Sequence, residues 1–133
     1  AKELASARQI SAYWERAVAE GRAQVAVTPE DRVVGFLMDG PPKFDDIDAA
    51  SVRELQQIGV EPNGWGHGVG SLLHEVFVRR LHVGRLTDGV LECWEANERA
   101  QAFYARHGWR PDGSRRLGPL GRDYIRLRMT APF

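Results

Sequence analysis

The sequence predicts an α/β domain built on a mixed β-sheet with helices on both faces. Three observations carry this. Apolar runs of strand length alternate with segments of helical period, in the order helix, three strands, helix, strand, helix, two strands. Strands joined through long helices imply local parallel pairing, and strands joined by short turns imply antiparallel pairing. A glycine-rich turn, Gly64 to Leu73, joins an apolar run to a helical one. At 133 residues the chain reads as one domain with room for a core. No repeat, low-complexity segment or linker divides it.

The first helix is predicted from about Leu4 to Glu20. Ile10, Tyr13, Trp14, Ala17 and Val18 recur at helical spacing and give one apolar face, and Gly21 is the stop. Gln24 to Thr28 and Val33 to Met38 read as a hairpin around Pro29-Glu30-Asp31-Arg32. Asp39 to Ala50 reads as a loop, because Gly40-Pro41-Pro42 breaks structure. Asp45, Asp46 and Asp48 make it acidic, either as a solvated surface or as an attractor for a cationic amine. Val52 to Val60 is the strand that feeds the glycine turn, and the helix after the turn runs to about Val83. Arg79, Arg80 and Arg85 suit that helix's negative end. A turn leads to a strand from Gly89 to Trp94. Asn97 to His107 forms a helix with Ala100, Phe103, Tyr104 and His107 on one stripe, and Gly108 ends it. Trp109-Arg110 starts a short strand, and Pro111 to Gly121 reads as a long basic loop. Tyr124 to Met129 alternates, with Ile125, Leu127 and Met129 on one side of a half-buried strand.

Bulk properties exclude several classes. The formal net charge is zero, so no broad field favours nucleic acid. No apolar run approaches the roughly 20 residues of a membrane helix, so no membrane partner is expected. The chain opens with no secretory signal pattern. Its single cysteine, Cys93, has no internal disulfide partner, which suits a cytoplasmic location. As a residue it reads as a buried small hydrophobe, with a nucleophile as the lesser alternative. His67, His74, His82 and His107 show no metal-ligand spacing, and no metal is expected.

The glycine turn carries the chemistry. Glycine allows positive φ and close approach of backbone to a ligand. The first N–H groups of the following helix have no intrahelical partner and carry partial positive charge, so the turn is a candidate phosphate site. A Walker A loop is excluded because there is no lysine. The dinucleotide fingerprint is excluded because, counted from Gly64, Gly66 or Gly68, its last glycine falls on Val69, Ser71 or Leu73. A glycine-rich surface loop without a ligand is the bland alternative.

Two stretches together resemble the GNAT N-acetyltransferase superfamily. Trp65-Gly66-His67-Gly68-Val69-Gly70, after Ile58-Gly59-Val60-Glu61-Pro62, resembles its acetyl-CoA loop, Arg/Gln-x-x-Gly-x-Gly/Ala; Trp65 stands where Arg or Gln is usual. Asn97 to Trp109 resembles its second signature, Asn-x-x-Ala-x-x-Phe-Tyr-x-x-x-Gly-Phe, with Trp109 in the last aromatic place. From Gln24 onward the resemblance covers the chain. The family also has a strand and helix before the first helix predicted here, which this sequence starts too late to contain.

The resemblance implies a splayed sheet, with Val52 to Val60 and Gly89 to Trp94 parting to admit the pantetheine arm of CoA. Ile58, Gly59 and Val60 would pair with that arm, and an N–H there would polarise the thioester carbonyl. Amides from Gly66 to Ser71, through His67, Gly68, Val69 and Gly70, would hold the pyrophosphate beside Trp65. Asn97 would hydrogen-bond the arm, with Ala100 also at the cofactor. Tyr104 would protonate the departing thiolate.

The implied function is direct transfer of acetyl from acetyl-CoA to an amine of a small molecule or peptide, through a tetrahedral intermediate. A CoA-binding domain without catalysis is the alternative. Deprotonating a lysine-like amine at pH 7 costs about 4.6 kcal/mol, and an α-amine about 1. Glu54 is the candidate base for that step and Glu92 the second candidate; the alternative to both is a solvated strand glutamate, or a base acting only through water. The resemblance leaves a homodimer open.

Overall fold

The computed structural model describes residues 20–62 and 68–131. The helix expected from Leu4 therefore lies outside the described residues, apart from Glu20. So do Gly64, Trp65, Gly66 and His67. The described elements are β1 (Ala23–Val27), β2 (Val33–Gly40), β3 (Val52–Val60), α1 (Val69–Val83), β4 (Asp88–Trp94), α2 (Glu98–Arg106), β5 (Arg110–Leu117) and β6 (Asp123–Thr130). A single 3-10 turn, Pro119–Gly121, joins the last two strands. The strands form one mixed sheet in the order β1-β2-β3-β4-β6-β5. Only β3 and β4 are parallel; every other neighbouring pair is antiparallel.

The β1–β2 hairpin turns where the Pro29 to Arg32 stretch predicts it. Asp31 takes a left-handed φ of 64°, and its N–H donates to the Thr28 carbonyl at 2.9 Å. Strand alternation then sorts the residues of β3, β4 and β6 between two faces. Leu55, Leu91, Cys93, Leu127 and Met129 join the core with Leu73, Phe77 and Leu81 of α1 and with Trp109. Phe77 stacks on Trp109 with centroids 6.0 Å apart. Burying each such apolar side chain contributes about 1.5–3 kcal/mol before entropy is counted. Neighbours one position along, Glu54, Glu92, Arg126 and Arg128, point to the opposite face.

The parallel seam is short. Only Val52, Arg53 and Glu54 pair, with Asp88, Gly89 and Val90. β3 continues to Val60 and β4 to Trp94 without further pairing. A wedge therefore opens beyond Glu54.

Two expected loops are corrected. β2 runs on through Asp39 to Gly40, so the acidic loop begins at Pro41. Asp39 is fully buried, and its carboxylate meets Arg53 Nε at 2.7 Å and Arg80 Nε at 2.5 Å. Two guanidinium partners offset the cost of taking that carboxylate out of water. Arg80 thus ties α1 to the sheet rather than only complementing the helix dipole. The basic stretch after Trp109 is strand over Arg110–Leu117. Its register with β6 shifts between Pro111 and Arg115, around Gly113 at φ 89°. A bulge at an edge accommodates both the proline and the glycine.

Candidate functional site

The start of α1 is unusually bare. Gly68 is its N-cap at φ 79°, in the left-handed region, and Leu72 N–H donates the first helical bond to the Gly68 carbonyl at 3.0 Å. The amides of Val69, Gly70 and Ser71 precede that bond and have no acceptor within the helix. Among the described residues no side chain caps them, and the first turn holds no acidic residue. The positive end of the helix dipole therefore faces outward, available to an anion.

Gly70 lets α2 approach. A Cβ at that position would lie 3.1 Å from Phe103 Cε2. Behind it, His107 joins the two helices: Nδ1 lies 2.8 Å from the Phe103 carbonyl and Nε2 lies 3.1 Å from Ser71 Oγ. A carbonyl can only accept, so in the neutral ring Nδ1 donates and Nε2 accepts from the Ser71 hydroxyl.

α2 begins with a side-chain cap, Asn97 Oδ1 accepting from Ala100 N–H at 3.0 Å. Substituting such a cap typically costs about 1 kcal/mol. The cap fixes the helix phase so that Ala100 and Tyr104 share a face. Tyr104 packs edge-on against Phe103 at 5.5 Å and Trp109 at 5.9 Å. Burial, reinforced by nearby Cys93, pushes its phenol up to about 12. Burial pushes the Cys93 thiol up as well, which disfavours the thiolate a nucleophile needs.

These elements enclose an open cavity of about 560 Å³, within the range of ligand sites. The predicted positions Ile58, Gly59, Val60, Gly68, Val69, Gly70, Ser71, Asn97, Ala100 and Tyr104 all line it. Trp65, Gly66 and His67 lie outside the described residues. Ile58, Gly59 and Val60 pair on one side with Leu37, Phe36 and Gly35 of β2. The ladder with β4 ends at Glu54, so past that point β3 turns its Ile58 and Gly59 backbone to the cavity. Arg99, Ala102, Phe103 and Arg106 also line the cavity and escaped sequence reasoning. Their spacing of i, i+3, i+4 and i+7 from Arg99, one stripe of α2 next to that of Ala100 and Tyr104, was the available signal.

Glu54 is not at this cavity. It stands on the other face of the sheet, 3% exposed, at the last residue before the strands part. Lys43 holds both its oxygens: the backbone N–H donates to Oε1 at 3.0 Å, and Nζ lies 3.4 Å from Oε2. Glu92 is two residues beyond Val90, the partner of Glu54, so it shares that face from the other limb of the wedge. It meets Lys43 Nζ at 3.2 Å and Arg116 Nη2 at 3.0 Å. Burial opposes ionisation of Glu92, but bonds from Arg116 and Lys43, with their charge, leave its pKa below the ordinary value. That weakens it as a base. Sequence reasoning missed Lys43 and Arg116, whose partners are remote in the chain.

The acidic loop is less available than its composition implies. Asp46 makes a bidentate pair with Arg126 at 2.7 and 2.8 Å, and that bond holds its carboxyl below the usual range. Asp48 accepts from Ala50 N–H and from the Ser51 hydroxyl. Among the described residues no helix is long and apolar enough to cross a membrane, and no group of three or more metal-ligating side chains gathers.

Comparison with known proteins places the chain. A family described as acetyltransferase (GNAT) matches residues 2–109. Among solved structures, the chain is similar to nourseothricin acetyltransferase, at 20% identity over 85% of this chain and 68% of that one, TM-score 0.72. It is similar to Ard1 from Thermoplasma volcanium, at 17% identity over 84% and 72%, TM-score 0.74. It is also similar to a chain of the NatC complex bound to Gag peptide and CoA, at 16% identity over 90% and 79%, TM-score 0.74. At these identities the likeness is one of fold. No curated protein matches the chain.

Proposed function

Because this chain belongs to the GNAT acetyltransferase family, we propose that it transfers the acetyl group of acetyl-CoA to an amine of a small molecule or peptide. The observation that carries the reading is the start of α1, without a side-chain cap among the described residues, beside the length of β3 that runs on past its ladder with β4. The amides of Val69, Gly70 and Ser71 bind the diphosphate. The stretch of β3 past Glu54, at Ile58 and Gly59, pairs with the pantetheine arm, with Val60 beside it, and presents an N–H to the thioester carbonyl. Asn97, whose oxygen already caps α2, turns its amide nitrogen to the arm. Arg99 and Arg106 lend positive charge to the same cavity.

Tyr104 serves the leaving sulfur. With its phenol near 12 and an alkyl thiol near about 8.5, full proton transfer to the thiolate runs uphill. The phenol therefore stabilises the departing thiolate as a hydrogen-bond donor. Glu54 takes the amine's proton once Lys43 moves aside. No metal takes part in this scheme, and a cytoplasmic site of action fits the lone thiol Cys93.

The test is thiol release from acetyl-CoA with a panel of primary amines, comparing wild type with Tyr104→Phe. Release that depends on both the amine and the phenol supports the reading. A second reading, a CoA-binding domain without catalysis, draws support from the engagement of both Glu54 oxygens by Lys43. CoA binding with no turnover on any amine would favour it.

A further inference from the structure

We propose that Lys43 is itself an acceptor, and that with acetyl-CoA bound the protein acetylates the Nζ of its own Lys43. The inference rests on the acetyltransferase reading above.

The placement of the lysine carries it. β3 and β4 part after Glu54. Glu54 and Glu92 stand on the two limbs of the wedge, on the face away from the core. The Lys43 ammonium bridges them, 3.4 Å from one carboxylate and 3.2 Å from the other. Its own backbone N–H is anchored on Glu54 at 3.0 Å. The amine therefore lies across the opening whose other side is the cavity at Ile58 to Val60. Its side chain is 57% exposed, so it can leave the two carboxylates and turn toward the wedge.

Composition adds an independent argument. Of the 18 basic residues in the chain, only Lys2 and Lys43 are lysines, and the rest are arginines. Elsewhere on the described surface carboxylates meet guanidinium groups, as in Arg126 with Asp46 and Arg128 with Asp88, and Glu92 itself also meets Arg116. A guanidinium would serve a purely structural bridge at least as well, with more donors in a fixed fork. The position between the two buried carboxylates holds instead the one basic group that deprotonates to a nucleophile.

The step balances with acetyl-CoA as the co-reactant. Lys43 Nζ gives one proton to Glu54, and its lone pair attacks the acetyl carbon to form the C–N bond. The C–S bond breaks, and the sulfur leaves as thiolate against the Tyr104 phenol. Glu54 passes that first proton to water, takes the nitrogen's second proton and releases it to water in turn, and the thiolate gains one proton from water, so Glu54 ends as the carboxylate. The products are ε-N-acetyl-lysine and CoA thiol. The modified side chain is neutral, so Glu54 and Glu92 lose their shared cation and can receive the ammonium of an external acceptor.

The experiment incubates the full chain with acetyl-CoA and no added amine, and follows it by intact mass and peptide mapping. A CoA titration runs alongside. The expected result is one acetyl group at Lys43, gained at a rate per molecule that does not change with protein concentration. Lys43→Arg, which keeps the charge, should bind CoA and remain unlabelled. Glu54→Gln should slow labelling roughly a hundredfold. Lys2 is the internal control: equal labelling of Lys2 and Lys43 would mean chemical background and overturn the inference. CoA binding with Lys43 unmodified overturns this inference alone. Failure to bind CoA overturns the functional reading and this inference with it.

Discussion

A phenol held near 12 stays protonated through the range in which acetyl transfer is measured. Its raised pKa makes it lose its proton only well above the ordinary tyrosine value near 10. Tyr104 should therefore impose no descending limb on a rate profile below about pH 10. Tyr104→Phe should lower kcat by about tenfold to a hundredfold while the CoA dissociation constant stays unchanged, measured by steady-state kinetics and titration. An unchanged kcat removes the phenol from the chemistry. Gly68 makes a second residue-scale test. At φ 79° it holds a conformation that costs other residues about 1–2 kcal/mol. Gly68→Val should abolish CoA binding while circular dichroism still reports the fold; retained affinity would separate the turn from the phosphate. Both residues were legible in the sequence, because their motifs are local. Lys43 was not. Its bridge joins Glu54 and Glu92, which only the folded sheet brings together.

At the scale of elements, α1 is joined to the start of β5 by a polar contact inside the core. Trp109 Nε1 donates to His74 Nε2 at 2.8 Å. A protonated His74 would present N–H to N–H there. Burial, with the nearby His107 charge, lowers the His74 pKa from 6.5 to about 4. The folded state then binds fewer protons than the unfolded one between those values, so stability is lost as pH falls through the window. From pH 7 to pH 5 this amounts to about 2 kcal/mol, read from urea unfolding. His74→Gln should flatten that part of the profile; an equal slope in the variant would assign the acid sensitivity elsewhere. A second tie, Asp39 to Arg53 and Arg80, joins β2, β3 and α1. Asp39→Ala should cost about 3–5 kcal/mol in the same experiment, since it leaves guanidinium groups facing a buried gap. A loss under 1 kcal/mol would contradict that assignment. Both ties were invisible beforehand, for Asp39 read as the start of a loop. β5 was hidden for another reason. Its residues are mostly exposed, so no apolar period marked it, and Pro111 and Gly113 read as breakers. The strands of the seam, β3 and β4, and both helices were plain because each carries its own apolar period.

For the whole molecule, one feature of topology sets the candidate site. Among the described residues every strand pair but one is antiparallel, and the single parallel pair separates after three residues. The wedge that results has the start of α1 on one face and the Glu54 and Glu92 carboxylates on the other. The mixed sheet was legible from the order of elements, and the wedge followed from the family resemblance, whereas no local pattern could reveal what fills its far side.

The central claim is that bare α1 amides grip a diphosphate beside the open edge of β3. Titration calorimetry of the wild-type protein with CoA and with pantetheine tests it without any substitution. CoA should bind one to one, and pantetheine, which lacks the diphosphate, at least about tenfold more weakly, given roughly 1.5 kcal/mol or more per hydrogen bond to a charged group. Equal affinity for the two, or no heat with CoA, would contradict the account.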